Sequence, residues 1–314
     1  MIAKVPIFFT TFFAVIATFR NPSLILFLIW IVLALVGYLT KTSGRSIGDI
    51  KIAIKYSVIR NLFAVIFTLT LAILGNSTVN FSLPMILCAG LLGFVTAVDL
   101  VVGLLLSKNS VTALLTIANQ GGAVIFSTIV GILFFSNAVR PIQWLFFALF
   151  MISSYILCGT SKEIYKDFSI KTVLLLVTHF ICGGLATVSL QVFAKVGDGD
   201  KNVFLALSYS ITELLMLLVL LFTHFENSHS NDRLSSKLKF FALMMGIVTA
   251  LYQLFTVMAA ELLDPIVQFS FIAVGGIIAN MLVGILFFKE KLTLKSGFAV
   301  VASMLSVVMI NYFN

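Results

Sequence analysis

Three charged side chains, Arg60, Asp99 and Glu213, lie deep inside long apolar runs. Burying an ionised group in hydrocarbon is expensive, so such residues face the interior of a helix bundle and mark ion or substrate paths. Arg60 stands nine residues beyond Lys51 and Asp99 nine before Lys108. At ~1.5 Å per helical residue, both sit roughly 10–13 Å inside the same membrane edge. Equal depth on neighbouring helices predicts an Arg60–Asp99 pair, serving either as a structural ion pair or as a substrate or gate element. An arginine at that depth can also snorkel to the interface. Glu213 is ten or eleven residues from either end of its run, near the midplane, with no cation at comparable depth. A lone carboxylate there suits a coupling proton or a cationic substrate. The competing reading is a hydrogen-bonded glutamate that holds helices together.

Six more polar residues share the membrane interior: Asn119, Gln120, Tyr209, Tyr252, Gln253 and Asn280. Each can hydrogen-bond a substrate or cross-link helices, the latter typically contributing ~0.6–2 kcal/mol. His179, near the end of its run, reads as structural, with titration near neutral pH available to it. Cys88, Cys158 and Cys182 all fall in apolar runs, as small core residues rather than a disulfide framework or metal site. No P-loop, metal-ligand spacing or nucleophile elbow is present, so neither an enzyme nor a cofactor is expected.

These residues need helices to hold them. Hydrophobic residues make up 61% of the 314 and charged residues 10%, far from the balance of a soluble domain. The unbroken apolar runs exclude a β-barrel, whose strands alternate. A spanning helix needs ~20 apolar residues. Ten runs qualify: 24–40, 53–74, 83–106, 111–135, 142–158, 173–195, 203–223, 238–260, 265–288 and 296–313. Most loops are short, and the longest runs from His224 to Ser236. An eleventh apolar stretch at 2–19 reads as an uncleaved helix, because Val15-Ile16-Ala17 makes a poor cleavage site. The net charge of +8 reflects basic loops rather than a nucleic-acid surface.

The runs are duplicated. Val-Gly-Ile-Leu-Phe-Phe at 130–135 recurs unchanged at 283–288, 153 residues later. At the same offset, residues 93–98 resemble 246–251, and Tyr56-Ser57 matches Tyr209-Ser210. Five helices per copy is an odd number, so the second copy enters the membrane upside down, as alternating access around a midplane site requires. Loops after the odd-numbered runs carry fourteen basic residues, including Lys41, Arg45, Lys108, Lys162, Lys237 and Lys289, against Arg20, Arg140, Lys195 and Lys201 on the other face. The positive-inside rule makes the first set cytoplasmic and the C-terminus external. The copies share glycines and apolar scaffold but differ in polar groups: Arg60 aligns with Glu213, Asp99 with Tyr252, and Gln120 with Ala273. A symmetric scaffold around an asymmetric site would look like this, and so would drift after duplication. Gly121-Gly122 and Gly275-Gly276 read first as close-packing positions.

Over residues 20–313 the chain resembles the drug/metabolite transporter superfamily, in its EamA-like ten-helix branch. The resemblance rests on the two five-helix repeats and on the segment 283–297, with Glu290, the Leu292-Thr293 pair and Gly297 before an apolar helix. Arg60 is similar to the basic residue near the start of the family's second helix. The first copy departs from the pattern at 136–141, which lacks an acidic residue, and the stretch 2–19 is additional. The resemblance implies transport of a small metabolite and names no substrate.

The expected architecture is an all-α polytopic membrane protein: an extra N-terminal helix at 1–19, a first five-helix repeat at 20–167 and a second at 168–314. The expected function is secondary transport of a small polar metabolite by alternating access, as an exporter or exchanger in the plasma membrane. Its partners would be the bilayer, the substrate and a coupling proton. Glu213 is assigned to proton coupling or cation recognition and Arg60 to an anionic substrate group. The alternative is a non-transporting membrane scaffold or assembly subunit. A lipid-modifying enzyme would want clustered His or Asp at an interface.

Overall fold

A computed structural model describes residues 21–47, 50–109, 112–135, 140–160, 170–225, 234–290 and 294–312. The apolar stretch 2–19, the boundary near 167 and the divergent segment 136–139 lie outside these residues. The described residues are almost wholly helical, without strands. In chain order the helices are α1 (Pro22–Ser46), α2 (Ile50–Leu74), α3 (Leu83–Asn109), α4 (Thr112–Phe135), α5 (Pro141–Thr160), α6 (Ile170–Val196), α7 (Lys201–Phe225), α8 (Ser236–Leu262), α9 (Pro265–Phe288) and α10 (Leu294–Tyr312).

Local chemistry sets their ends. The Asn21 side chain accepts hydrogen bonds from the backbone of Ser23 and Leu24, and Pro22 occupies the first turn of α1, where a missing N–H costs nothing. Asp200 caps α7 through the Asn202 and Val203 amides, and Ser235 caps α8 through Leu238. α9 starts at Pro265 and ends where Lys289 turns into the left-handed region. Inside the helices, many serine and threonine hydroxyls donate to carbonyls one turn back, as Thr68, Thr187 and Ser208 do.

Eight of these helices are long and apolar enough to cross a membrane, while α5 and α10 carry shorter apolar runs at 141–150 and 297–306. The chain is an integral, multi-pass helical membrane protein. Its outer faces are apolar, as a hydrocarbon solvent demands. On α1, for example, Phe27, Ile31 and Leu35 form an outward stripe at four-residue spacing, while Ile25, Ile29 and Val32 are buried.

The helices pack as a network. α3 lies against α6 and α7, and α8 lies against α1 and α2. α4 packs on α6 and α9, α9 also packs on α1, α2 packs on α7, and α5 packs on α10. Glycines set the closest approaches. Gly93 of α3 is seated on α7, where an added Cβ would lie 2.7 Å from the Ser208 carbonyl oxygen. Gly246 of α8 is seated on α2, where a Cβ would lie 2.2 Å from the Arg60 carbonyl oxygen. Gly122 on α4 meets the backbone of α6 at Phe180 and Gly184 in the same way. Between α5 and α10, Ser153 and Ser303 share a buried hydrogen bond of 2.8 Å.

Candidate functional site

A cavity of about 210 Å³, with polar side chains set in a largely apolar wall, opens in the centre of the bundle. Every helix from α1 to α9 except α5 contributes to its wall. Each polar wall residue lies on an otherwise apolar helix, so rotation of that helix toward the centre is what removes it from lipid. Of the nine residues singled out from the sequence, eight line this one cavity. Arg60 comes from α2, Asp99 from α3, Asn119 and Gln120 from α4, Tyr209 from α7, Tyr252 and Gln253 from α8, and Asn280 from α9.

Glu213 is placed differently. It is buried but stands outside the wall, where its Oε2 accepts a 3.0 Å hydrogen bond from Asn61 Nδ2. Asn61 itself lines the cavity and also donates to the Tyr209 carbonyl at 2.8 Å. Glu213 therefore touches the cavity through Asn61, a residue that sequence reasoning passed over although it adjoins Arg60. Glu213 stands at the middle of α7, and that helix is turned so that the carboxylate faces α2.

The expected Arg60–Asp99 pair is not what forms. Asp99 Oδ1 instead lies 2.6 Å from His179 Nδ1. His179 was read as structural, yet it lines the cavity from α6 and is buried. Depth along the membrane normal made Arg60 and Asp99 equal, but rotation about each helix axis decides which groups meet. α3 lies against α6 over a long interface, whereas it touches α2 only slightly. The signal available in advance was Asp99's need for a polar neighbour on some packed helix.

Arg60 is left with no carboxylate within the 4.0 Å ion-pair distance among the described residues. Several amide oxygens on the wall are likewise unsatisfied: Gln120 Oε1, Gln253 Oε1 and Asn280 Oδ1 are buried without a hydrogen-bond partner. Gln120 and Asn280 are themselves only 4% and 3% exposed. A buried polar atom without a partner typically costs ~1–3 kcal/mol, and these oxygens, with almost no accessible surface, are enclosed by protein rather than open to the cavity. Asn280 is held in place by donating from Nδ2 to the Gly276 carbonyl and by packing against Gly37.

Polar and aromatic contacts flank the cavity at both ends. On one side buried Lys41, also a wall residue, pairs with Glu290 at 3.5 Å. Near it Ser43 donates to the Tyr56 hydroxyl at 2.8 Å, and the Arg45 guanidinium stands 4.7 Å over the Phe288 ring. On the other side Lys201 and Glu261 pair at 2.9 Å, and Phe193 stacks on Phe204 at 3.8 Å. Glu290 is thereby placed where α1 and α9 end together. The described cysteines, Cys88 and Cys182, are both free and buried, and Cys182 lies on the cavity wall. Among the described residues no group of three or more His, Cys, Asp and Glu could hold a metal ion.

No family model matches the chain, and no curated protein matches it. Its fold is similar to that of a solved structure described only as "Crystal structure of protein", with a TM-score of 0.65. The likeness covers 92% of this chain and 99% of the other at 10% identity, which speaks to the fold alone.

Proposed function

We infer that the protein is a secondary transporter that moves a small polar metabolite across the membrane by alternating access, as a member of the drug/metabolite transporter superfamily with ten spanning helices in two inverted repeats. The observation that carries this reading is the central cavity, with polar side chains and an unpaired guanidinium on a wall built from eight otherwise apolar helices. A purely structural bundle would be expected to pair such groups or to omit them.

The packing supports the repeat. Exchanging each helix with its counterpart 153 residues away turns α3–α7 into α8–α2, α3–α6 into α8–α1, and α4–α6 into α9–α1, and all six are contacts in the bundle. The pairs α2–α7, α4–α9 and α5–α10 map onto themselves. Where two such self-paired helices bond, the partners are close to one offset apart: Asn61 with Glu213, and Ser153 with Ser303. Two halves related by a two-fold axis, meeting at a central cavity flanked by separate contact sets, are the parts a rocking mechanism needs.

Within this reading Arg60 holds the substrate's anionic group and the Asp99–His179 pair carries the coupling proton, since both members of that pair face the cavity. Glu213 acts through Asn61, as a positioning residue. With basic loops inside, Lys41 and Glu290 close the cytoplasmic end, and the Lys201–Glu261 pair lies at the outer end. The plasma membrane is the proposed site of action.

The test is flux. Purified protein in liposomes, with a pH gradient imposed, is screened against labelled amino acids, hydroxy acids, polyamines and nucleotide sugars. Saturable, protein-dependent accumulation of one class, driven by the gradient, is the expected result. Flux no faster than in protein-free liposomes for every class would favour a membrane scaffold instead.

A further inference from the structure

Away from the central cavity, the flank of the bundle carries a groove of about 620 Å³, where α2 ends beside the start of α7. Packed interiors leave few voids larger than one water of ~30 Å³, so this groove is an unfilled site rather than a seam between helices. Leu69, Ala72 and Ile73 line it from α2, and Val203, Ala206 and Leu207 from α7. The loop 75–82 supplies the rim through Asn76, Ser77, Val79 and Phe81. Every one of these lining residues is uncharged.

The surroundings decide what fills it. Ile73 is 73% exposed and Val79 67%. The exposed apolar faces of both helices continue past the groove, through Ile66 on α2 and through Leu214 and Leu217 on α7. The groove is thus a recess in the outer face of a multi-pass membrane protein, continuous with the surface that meets hydrocarbon. From Leu69 to Asn76 it runs roughly 10 Å at ~1.5 Å per residue, against about 15 Å for the hydrocarbon of one leaflet. That matches the part of a lipid chain nearest its glycerol. Ser210, at the deep end, donates to the Ala206 carbonyl at 2.7 Å, so its donor is already used within α7.

The rim is preformed and polar. Asn76 lies in the left-handed region, and the Asn76 and Ser77 amides donate to the Ile73 and Ala72 carbonyls at 3.2 and 3.0 Å. Asn202 of α7 donates to Ser77 Oγ at 3.3 Å and ties the loop across the head of the groove. The Asn76 side chain is exposed there, and its carboxamide can donate to an ester or phosphate oxygen. Bulk lipid offers hydrocarbon everywhere, so preference for this place comes from filling the recess, whose empty walls forfeit dispersion contacts, and from the rim donor.

We propose that the groove is a lipid-binding site: it seats one acyl chain of a glycerophospholipid between α2 and α7, with the ester and headgroup oxygens at Asn76 and Ser77 and no requirement for an anionic headgroup. The proposal needs only the bilayer and is independent of what the central cavity carries.

The test is photolabelling of the full chain in lipid nanodiscs. The probe is a phosphatidylcholine with a diazirine on one acyl chain, diluted into unlabelled phosphatidylcholine, and adducts are mapped on peptides by mass spectrometry. The outward stripe of Phe27, Ile31 and Leu35 on α1 is the reference for casual lipid contact. Adducts on 69–79 and 203–210 are expected to exceed those on the stripe by about threefold to tenfold, the retention that one or two neutral hydrogen bonds provide. Ser210→Phe and Ala72→Phe put a ring into the groove and bring its labelling down to the reference level, with the stripe unchanged. Asn76→Gly keeps the left-handed turn, removes the carboxamide and lowers groove labelling about twofold to fivefold. Unlabelled phosphatidylglycerol competes as well as unlabelled phosphatidylcholine. Groove labelling no higher than the stripe's overturns the proposal on wild-type protein alone, whatever the variants do. Unchanged groove labelling in both folded phenylalanine variants also overturns it, as does an advantage of about tenfold for phosphatidylglycerol. A dimer in native mass spectrometry that Ser210→Phe dissociates overturns it too, by giving this face to a second copy of the chain.

Discussion

Gly246 joins scaffold to site, and adding a methyl group there tests the connection. An alanine Cβ at 246 would lie 2.2 Å from the Arg60 carbonyl oxygen, 3.0 Å from Phe63 Cβ and 3.1 Å from the Ala64 nitrogen. Two of the three obstacles are helix backbone, which cannot rotate aside. Restoring ordinary contact, at about 3.2 Å or more, requires α8 to move away from α2 by about 1 Å. Overpacking of this kind costs ~1–3 kcal/mol, partly offset by the ~0.5–1 kcal/mol that alanine gains over glycine within a helix. The net expectation is a loss of about 1–2 kcal/mol. Gly90 supplies the control, because nothing lies within 4 Å of a Cβ built there, so Gly90→Ala should be neutral or slightly stabilising. The shift also reaches function: α2 carries Arg60 and α8 carries Tyr252 and Gln253 on the facing wall. Thermal unfolding of both variants in the same detergent, followed by binding of the wild-type ligand, reads both effects. Gly246→Ala is expected to melt lower and bind at least tenfold more weakly, since misplacing positioned groups by about 1 Å can cost on the order of a hundredfold. Equal melting temperatures for the two variants would refute the reasoning that α8 and α2 are in backbone contact.

Other perturbations have equally definite outcomes. His179→Asn should flatten the pH dependence of flux while leaving a folded protein; an unchanged pH profile would remove His179 from proton coupling. Glu213→Gln keeps an acceptor for Asn61, so ligand affinity should stay within about twofold and flux should persist; complete loss of flux with intact folding would restore Glu213 as the coupling group. Ser153→Ala breaks the hydrogen bond to Ser303 between α5 and α10 and should destabilise by ~0.6–1.7 kcal/mol, measured by thermal or chemical unfolding, with flux retained.

Much of this arrangement was legible in the sequence, for reasons particular residues show. The apolar run at 265–288 coincides with α9, because Pro265 and the turn at Lys289 punctuate it unambiguously. Hydrocarbon cannot solvate a guanidinium or an amide, so Arg60, Gln120 and Asn280 had to turn inward, and inward is where they converge. Azimuth was the missing coordinate. The position of Glu213 along its helix could be read from its distance to each end, but not the rotation about the helix axis that aims it at Asn61 rather than at the cavity. The same ambiguity paired Asp99 with the wrong neighbour and left His179 among the structural residues. Asn61 and Lys41 were hidden for a different reason. Asn61 simply adjoins a charged residue and Lys41 follows the end of an apolar run, and only packing buries both.

If the cavity opens to each side of the membrane in turn, native Cys182 on its wall reports the exchange without any knowledge of the substrate. With Cys88 and Cys158 replaced by alanine, a membrane-impermeant thiol reagent is applied to right-side-out and to inside-out vesicles. Alternating access predicts labelling of Cys182 from both faces, with Glu290→Gln accelerating labelling from the face that the Lys41 pair closes. Labelling from one face alone, or from neither, would contradict it.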